Sequence, residues 1–422
     1  MIQLIEALNF RCLHHVRQPL GPFHVLVGPN ASGKSSFLDV LTFLSRLVAE
    51  GLEAAIGERT QNFHDLVWGR EGDRFELAVE ARIPEELLAD ADARRYATIR
   101  YAVALGGRGR AQQLCILDEQ LLLCAEPAAN ARAGSRATRQ PRSLIRGKVD
   151  RDSLPLAIAT KRTEYRLFRE RADERVSRQV GTSRNGMEQM VRRDSDHAVF
   201  RVLNSEEFPV GTWFGDLLAR GIHLMHLDRR KLHSASRPGL GQALRGDGEN
   251  LPWVIADLNR GYRDRYQTWL RHVRTALPDV DTVRIIERPE DKHRYLMVRY
   301  RGGLEVPAWG LSDATLQVLA LTILAYVPAL NGTWLIEEPE TSLHPLNIEP
   351  IVLSLQSLYD AQVLLATQSP AVLAIVDPAD VLVFSREEAT GTHIIKGTEH
   401  SQLADWQGQP NLSVLFASGV LS

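Results

Sequence analysis

The chain has 422 residues, 44% of them apolar and 24% charged, values of an ordinary globular protein long enough for two domains or one domain carrying an insertion. A membrane or secreted protein is excluded on three grounds: the opening MIQLIEALNF lacks a basic start and an apolar run, the apolar region Leu316 to Leu330 is interrupted by Gln317, Thr322 and Pro328, and Cys12, Cys115 and Cys124 show neither metal nor disulfide spacing. A cytoplasmic location is the expectation. The net charge of −2 hides an asymmetry, because residues 91–200 hold 22 Lys and Arg against 13 Asp and Glu, leaving 28 against 39 elsewhere. A basic middle between acidic flanks is either a solvated arginine-rich surface or a contact for a polyanion such as DNA.

In chain order, residues 2–10 alternate as a strand does, and the segment through Leu20 is a loop or a second short strand. Phe23 to Val27 (FHVLV) is a further strand. It leads into GPNASGKSS, Gly28 to Ser36, after which Phe37, Leu38, Leu41, Leu44 and Val48 recur at helical spacing until Gly51. Strand, glycine-bearing turn and helix form the context that G-x-x-x-x-G-K-[ST] demands. Gly28 and Gly33 let backbone N–H groups turn inward around a polyphosphate, with Pro29, Asn30, Ala31 and Ser32 between them. The helix start adds its own open donors. Lys34 brings a compact charge to the terminal phosphates, and the Ser35 hydroxyl, followed by Ser36, can ligate Mg²⁺. The alternative, a glycine turn with an incidental lysine, does not account for both flanking elements. The chain is expected to bind a nucleoside triphosphate.

Beyond a mixed loop with Phe63 and Trp68, the short strands FELAVEAR, ATIRYAVAL, LCILDEQ and LLLC predict an antiparallel meander up to Cys124. From Ala125 to about Leu203 the chain is polar and arginine-rich. Ala128 to Arg142 reads as a loop, with helical pieces around Lys161 to Val180 and no heptads for a coiled-coil arm. HLMHLD is a strand whose His223 and His226 lack a third ligand and read as packing residues. A turn and a helix follow from Leu244, continuing through Tyr262 to Val273. Thr282 to Glu287 and Tyr295 to Arg301 are strands, with a Gly302-Gly303 turn.

Three later stretches carry chemistry. Leu311-Ser312-Asp313-Ala314-Thr315 opens an apolar helix, so Ser312 is either a simple N-cap or a phosphate contact. Trp334 to Glu340 (WLIEEPE) is an apolar strand ending in paired carboxylates. Glu337 is assigned to Mg²⁺ and Glu338 to orienting and deprotonating the attacking water, against the alternative of a solvated acidic turn. Val363 to Pro370 (VLLATQSP) is a second apolar strand whose tip, Gln368, could reach a γ-phosphate or the lytic water.

In order and spacing these stretches resemble the ABC-type ATPases, in the branch with RecF, SMC proteins and the OLD-like ATPases. GPNASGKS resembles Walker A, LSDAT the signature motif, and WLIEEPETSLHP Walker B with its D-loop (Ser342, Leu343, His344). TQSP stands at the switch position, and the likeness spans roughly residues 1–125 and 220–385. It implies an α/β ABC-ATPase head, a mixed sheet with a P-loop core and an antiparallel β subdomain, with a helical insertion. The expected organisation is an N-terminal lobe at 1–125, a basic, mostly helical insertion at 126–220 and a C-terminal lobe at 221–422. It implies ATP and Mg²⁺, a nucleotide-sandwich homodimer in which Ser312 acts on the partner's nucleotide, and His344 near that nucleotide. Ala314 replaces a family glycine, Glu337 a commoner aspartate, and Gln368 a histidine. Glutamine donates a hydrogen bond but carries no charge, so hydrolysis is expected to be slow. Gln61 is the only nearby candidate for the Q-loop glutamine. About forty residues follow the strand Asp380 to Phe384, without an acidic cluster of the TOPRIM nuclease type that OLD-like relatives carry. The leading expectation is therefore a switch for a separately encoded nuclease or toxin in anti-phage defence. A RecF-like DNA-binding protein is the alternative, and a transporter subunit is disfavoured by the insertion and by EEPETSLHP.

Overall fold

The computed structural model describes residues 1–88, 96–108, 113–125, 143–145, 153–160, 164–168, 188–192, 196–241, 243–341 and 343–400. The expected loop Ala128 to Arg142, most of the basic 91–200 stretch, Ser342 and the last 22 residues lie outside them. The chain divides into two compact units, one of residues 1–21, 30–222 and 385–394, the other of 22–29, 223–384 and 395–422. The polypeptide passes from the second unit into the first between Pro29 and Asn30, inside the glycine loop.

The first unit is an antiparallel sheet of eight strands. Its order is Leu13–Pro19, Ile2–Phe10, Arg74–Arg82, Thr98–Arg108, Gln113–Cys124, Ser153–Thr160, Glu164–Phe168 and Glu188–Arg192. The expected meander is present and continues further than expected. Helix around Lys161 to Val180 is corrected at Glu164–Phe168, which is a strand paired with Ser153–Thr160 and Glu188–Arg192. Tyr, Leu and Phe in EYRLF suit a pleated surface, and the neighbouring strands decide against the flanking arginines. Within 126–220 a helix does form at Pro209–Arg220, with Val210, Phe214 and Leu218 buried. LCILDEQ and LLLC are one strand, Gln113–Cys124, rather than two. Glu119 in its middle is buried and accepts from the Tyr101 hydroxyl (2.5 Å) and the Val199 N–H (2.9 Å), which allows the charge to sit inside the sheet.

The helix Lys34–Glu50 buries Phe37, Leu38, Val40, Leu41, Phe43, Leu44 and Leu47, the helical spacing read from the sequence. Phe43 meets Phe10 and Phe75 of the sheet edge-on, with ring centroids 5.8 and 5.6 Å away. On its other flank Asp39 pairs with Arg11 (2.9 Å) and Arg59 (2.6 Å). Gly51, at φ 102°, ends the helix where an L side chain would be strained.

The second unit centres on parallel strands. The six-stranded sheet runs Ile222–Met225, Thr333–Glu337, Gln362–Thr367, Phe23–Val27, Val381–Glu387 and Gly391–Lys396. Phe23–Val27 and Gln362–Thr367 are buried along their whole length, as unbroken apolar runs in a parallel sheet should be. Against this core pack the helices Leu251–Gly261, Arg263–Ala276, Asp313–Thr322 and Pro345–Gln356. Trp269, fully buried, donates its indole N–H to Thr322 (3.0 Å). A three-stranded antiparallel sheet, Val280–Glu287, Arg294–Tyr300 and Glu305–Pro307, completes the unit. Among the described residues no helix is long and apolar enough to cross a membrane.

Candidate functional site

Register places the acidic pair. Thr333–Glu337 runs parallel to Gln362–Thr367 with Glu337 beside Ala366, and that strand runs parallel to Phe23–Val27 with Thr367 beside Val27. Glu337, Gln368 and Gly28 therefore leave the same carboxyl edge of one parallel sheet, the edge at which open α/β sheets take their ligands. Gly28, where the glycine loop begins, shares that edge with the acidic pair.

Glu338 sits one residue past the strand. Its N–H donates to the Ala366 carbonyl (2.8 Å), and it adopts φ 45°, a left-handed conformation costing a non-glycine residue about 1–3 kcal/mol. The turn aims an exposed carboxylate at Gln368, whose Nε2 donates to Glu338 Oε1 at 2.7 Å. Glu337, by contrast, is half-buried. The two acids thus occupy different settings.

Glu340 is a residue the sequence reading passed over. Its Oε1 accepts from the fully buried Thr367 hydroxyl (2.6 Å) and from the Gln368 N–H (3.1 Å), tying the tip of one strand to the turn of the next. Its Oε2 is buried without a hydrogen-bond partner among the described residues. Glu340→Ala would leave the Gln368 N–H and the Thr367 hydroxyl proton without their acceptor, and is expected to lower unfolding free energy by about 1–3 kcal/mol in urea titrations and to slow ATP hydrolysis. Unchanged urea and hydrolysis curves would remove Glu340 from the site.

The signature stretch is tied to the same turn. Ser312 caps the helix Asp313–Thr322, its Oγ accepting from Thr315 N–H at 3.1 Å, so the N-cap reading holds for the isolated chain, with the serine itself exposed. Gln317, one turn on, donates to the Pro339 carbonyl between the two acidic positions (2.8 Å). Asp313 is held by His233 (2.8 Å) and Arg229 (3.2 Å), a clamp with no signature in the sequence because it spans about eighty residues. His344 caps Pro345–Gln356 through Nδ1, which accepts from Leu346 N–H at 3.3 Å. His223 stacks on Trp334 (4.5 Å) with its imidazole pushed below the usual range by burial, and the described residues contain no cluster able to hold a metal by three His, Cys, Asp or Glu ligands. His223 packs as read from the sequence, whereas His226 is corrected: it is exposed, because it lies just past the strand Ile222–Met225.

Asn30 to Ser36 fall in the first unit and are described with it. Ala31 (φ 61°) and Gly33 (φ 108°) are both left-handed, a winding that turns successive N–H groups toward one side. Lys34 starts the helix and is 8% exposed, Ser35 is exposed and Ser36 half-buried. Ser32 is 1% exposed, and its hydroxyl has no hydrogen-bond partner among the described residues. Thr392 lies directly over Gly33, where any Cβ would collide with it, and its hydroxyl donates to the Ser32 carbonyl (2.9 Å). Gln61 is exposed and lines a cavity of about 300 Å³ with Asn62, Phe63, His64, Asp73, Gly107 and Leu114.

The fold carrying this site resembles that of SMC head domains, with mixed parallel and antiparallel sheets around the same architecture. It is similar to the crystal structure of an SMC head bound to the C-terminal winged-helix domain of ScpA, with TM-score 0.52 and 13% identity over 93% of this chain and 97% of that one. It is also similar to the SMC head with an extended coiled coil, bound to the C-terminal domain of ScpA, from Pyrococcus furiosus, with TM-score 0.50 and 13% identity over 96% and 98%. By sequence, over residues 23–96 and 148–374, the chain belongs to the family described as "AAA domain, putative AbiEii toxin, Type IV TA system". No curated protein matches it.

Proposed function

We propose that the chain binds ATP with Mg²⁺, hydrolyses it slowly, and uses the bound triphosphate to close a dimer that controls a separately encoded nuclease or toxin. The observation that carries this reading is the convergence of Gly28, Glu337, Glu338 and Gln368 on one carboxyl edge, with Gln368 bonded to Glu338.

The residues fit the nucleotide. A left-handed loop opens a helix of 17 residues and contains a buried serine hydroxyl that has no hydrogen-bond partner among the described residues. The N–H groups of residues 30–35 would bind the phosphates, with Lys34 adding charge. Ser35 and Glu337 are hard oxygen donors suited to Mg²⁺, which when bound neutralises charge on the transferring phosphoryl group. Glu338 would accept the proton of the attacking water while Gln368 orients its carboxylate. Ser312, exposed at a helix start, would give up its bond to Thr315 and meet the partner copy's nucleotide, with His344 beside it.

The family's description as a putative toxin of a type IV toxin–antitoxin system supports a toxin-linked role, and the proposal places that role in bacterial defence in the cytoplasm. The arginine excess of residues 91–200 supports a second reading, direct DNA binding in genome maintenance. Two measurements test the core of the proposal. Phosphate release from ATP is expected to require Mg²⁺ and to stop with EDTA, and light scattering is expected to show doubled mass with a non-hydrolysable ATP analogue. A chain that stays monomeric at saturating analogue contradicts the dimer switch. Duplex binding by the chain alone, falling steeply with salt, would favour the DNA reading instead.

A further inference from the structure

We propose that Thr392 is a positioning residue for the phosphate loop, holding the Ser32–Gly33 peptide with its N–H aimed at the nucleotide's terminal phosphates. The inference rests on the nucleotide reading and assigns a role to a residue 360 positions from the loop in sequence. Thr392 is 1% exposed, and its hydroxyl donates to the Ser32 carbonyl at 2.9 Å. A trans peptide is planar, so its C=O and N–H point in opposite directions. Pinning the Ser32 oxygen on the Thr392 side therefore fixes the Gly33 N–H on the other side.

Thr392 is itself anchored. Its backbone N–H donates to the Cys12 carbonyl (3.2 Å), and the preceding Gly391, at φ 83°, lies against the Cys12 carbonyl, His14 and Trp68, where a Cβ would press into all three. His14 and Trp68 stack at 5.0 Å. The loop conformation is thus referred to the antiparallel sheet of the first unit, independently of any ligand. Threonine suits the position because its hydroxyl makes the bond while its methyl fills the space over Gly33. This also accounts for glycine at position 33 from the protein side, apart from any crowding of phosphate.

The test compares Thr392→Val, which keeps shape and loses the hydroxyl, with Thr392→Ser, which keeps the hydroxyl. Thr392→Ala serves as a second hydroxyl-free variant if valine does not fold. Two readouts are taken on the full chain: ATP affinity by calorimetry, and hydrogen exchange of the peptide covering residues 28–36 without nucleotide. The valine variant is expected to bind ATP about tenfold more weakly and to exchange faster across the loop, with the serine variant restoring both. The valine variant is also expected to melt lower than the wild type, because the buried Ser32 carbonyl loses its donor, so both readouts are taken well below its melting temperature. Equal affinity and exchange in valine and wild type overturn the brace, and so does equal weakening in valine and serine. A wild-type chain that binds no triphosphate overturns the nucleotide reading, and with it the purpose given to the brace, whatever the exchange shows.

Discussion

Glu338→Gln is expected to cut steady-state phosphate release by about 10²–10⁴-fold while leaving ATP affinity unchanged. The substitution is informative because it alters so little else. Gln368 Nε2 donates to Glu338 Oε1, and a glutamine carbonyl can accept the same bond at 2.7 Å. The backbone bond from residue 338 to Ala366 does not involve the side chain at all. What is lost is the ability to take a proton, so ATP should persist and the dimer should stay closed through gel filtration with ATP and Mg²⁺. Hydrolysis at the wild-type rate would show that the general base lies elsewhere. Rapid hydrolysis by Glu337→Gln combined with a dead Glu338→Gln would still keep the base and reassign only the metal ligand.

Lys34→Ala acts one step earlier and should abolish measurable binding at micromolar ATP. Two charge-assisted hydrogen bonds to phosphate are together worth about 3 kcal/mol or more, which is roughly a hundredfold in Kd. The ammonium also sits in a largely buried setting, at 8% exposure, where solvent screens it little. Since the alanine is an excellent helix former at the first position of Lys34–Glu50, folding should be preserved, and circular dichroism would confirm it. Wild-type affinity in this variant would refute the phosphate-loop assignment outright.

Much of the site was legible in advance because its parts are local. A strand, a glycine turn and an amphipathic helix announce themselves within residues 23–51, and WLIEEPE and VLLATQS are apolar runs ending in polar tips. Parallel register then does the assembly, since strands buried on both faces and ending together must present their tips at one edge. The parts that were not legible are pairwise and distant. Thr392 on Ser32, and His233 with Arg229 on Asp313, leave no periodicity and no motif. Glu340 stands in plain view within the acidic run, but only the fold shows its Oε1 accepting from Thr367 and Gln368. Two β segments differ from the sequence expectation: Gln113–Cys124 is one strand where two are expected, and Glu164–Phe168 is a strand where helix is expected. In the first, Asp118 and Glu119 look like a break until Tyr101 and Val199 are known as partners of Glu119.

The φ of 45° at Glu338 has an evolutionary corollary. Asparagine or glycine would rest more comfortably in that backbone basin, so drift toward thermal robustness pulls this position away from glutamate. With Glu338 as the proposed base, selection for turnover would hold it there, and relatives that lost catalysis but kept the proposed nucleotide-driven pairing should be recognisable by a small or amide side chain at this position and a higher melting temperature.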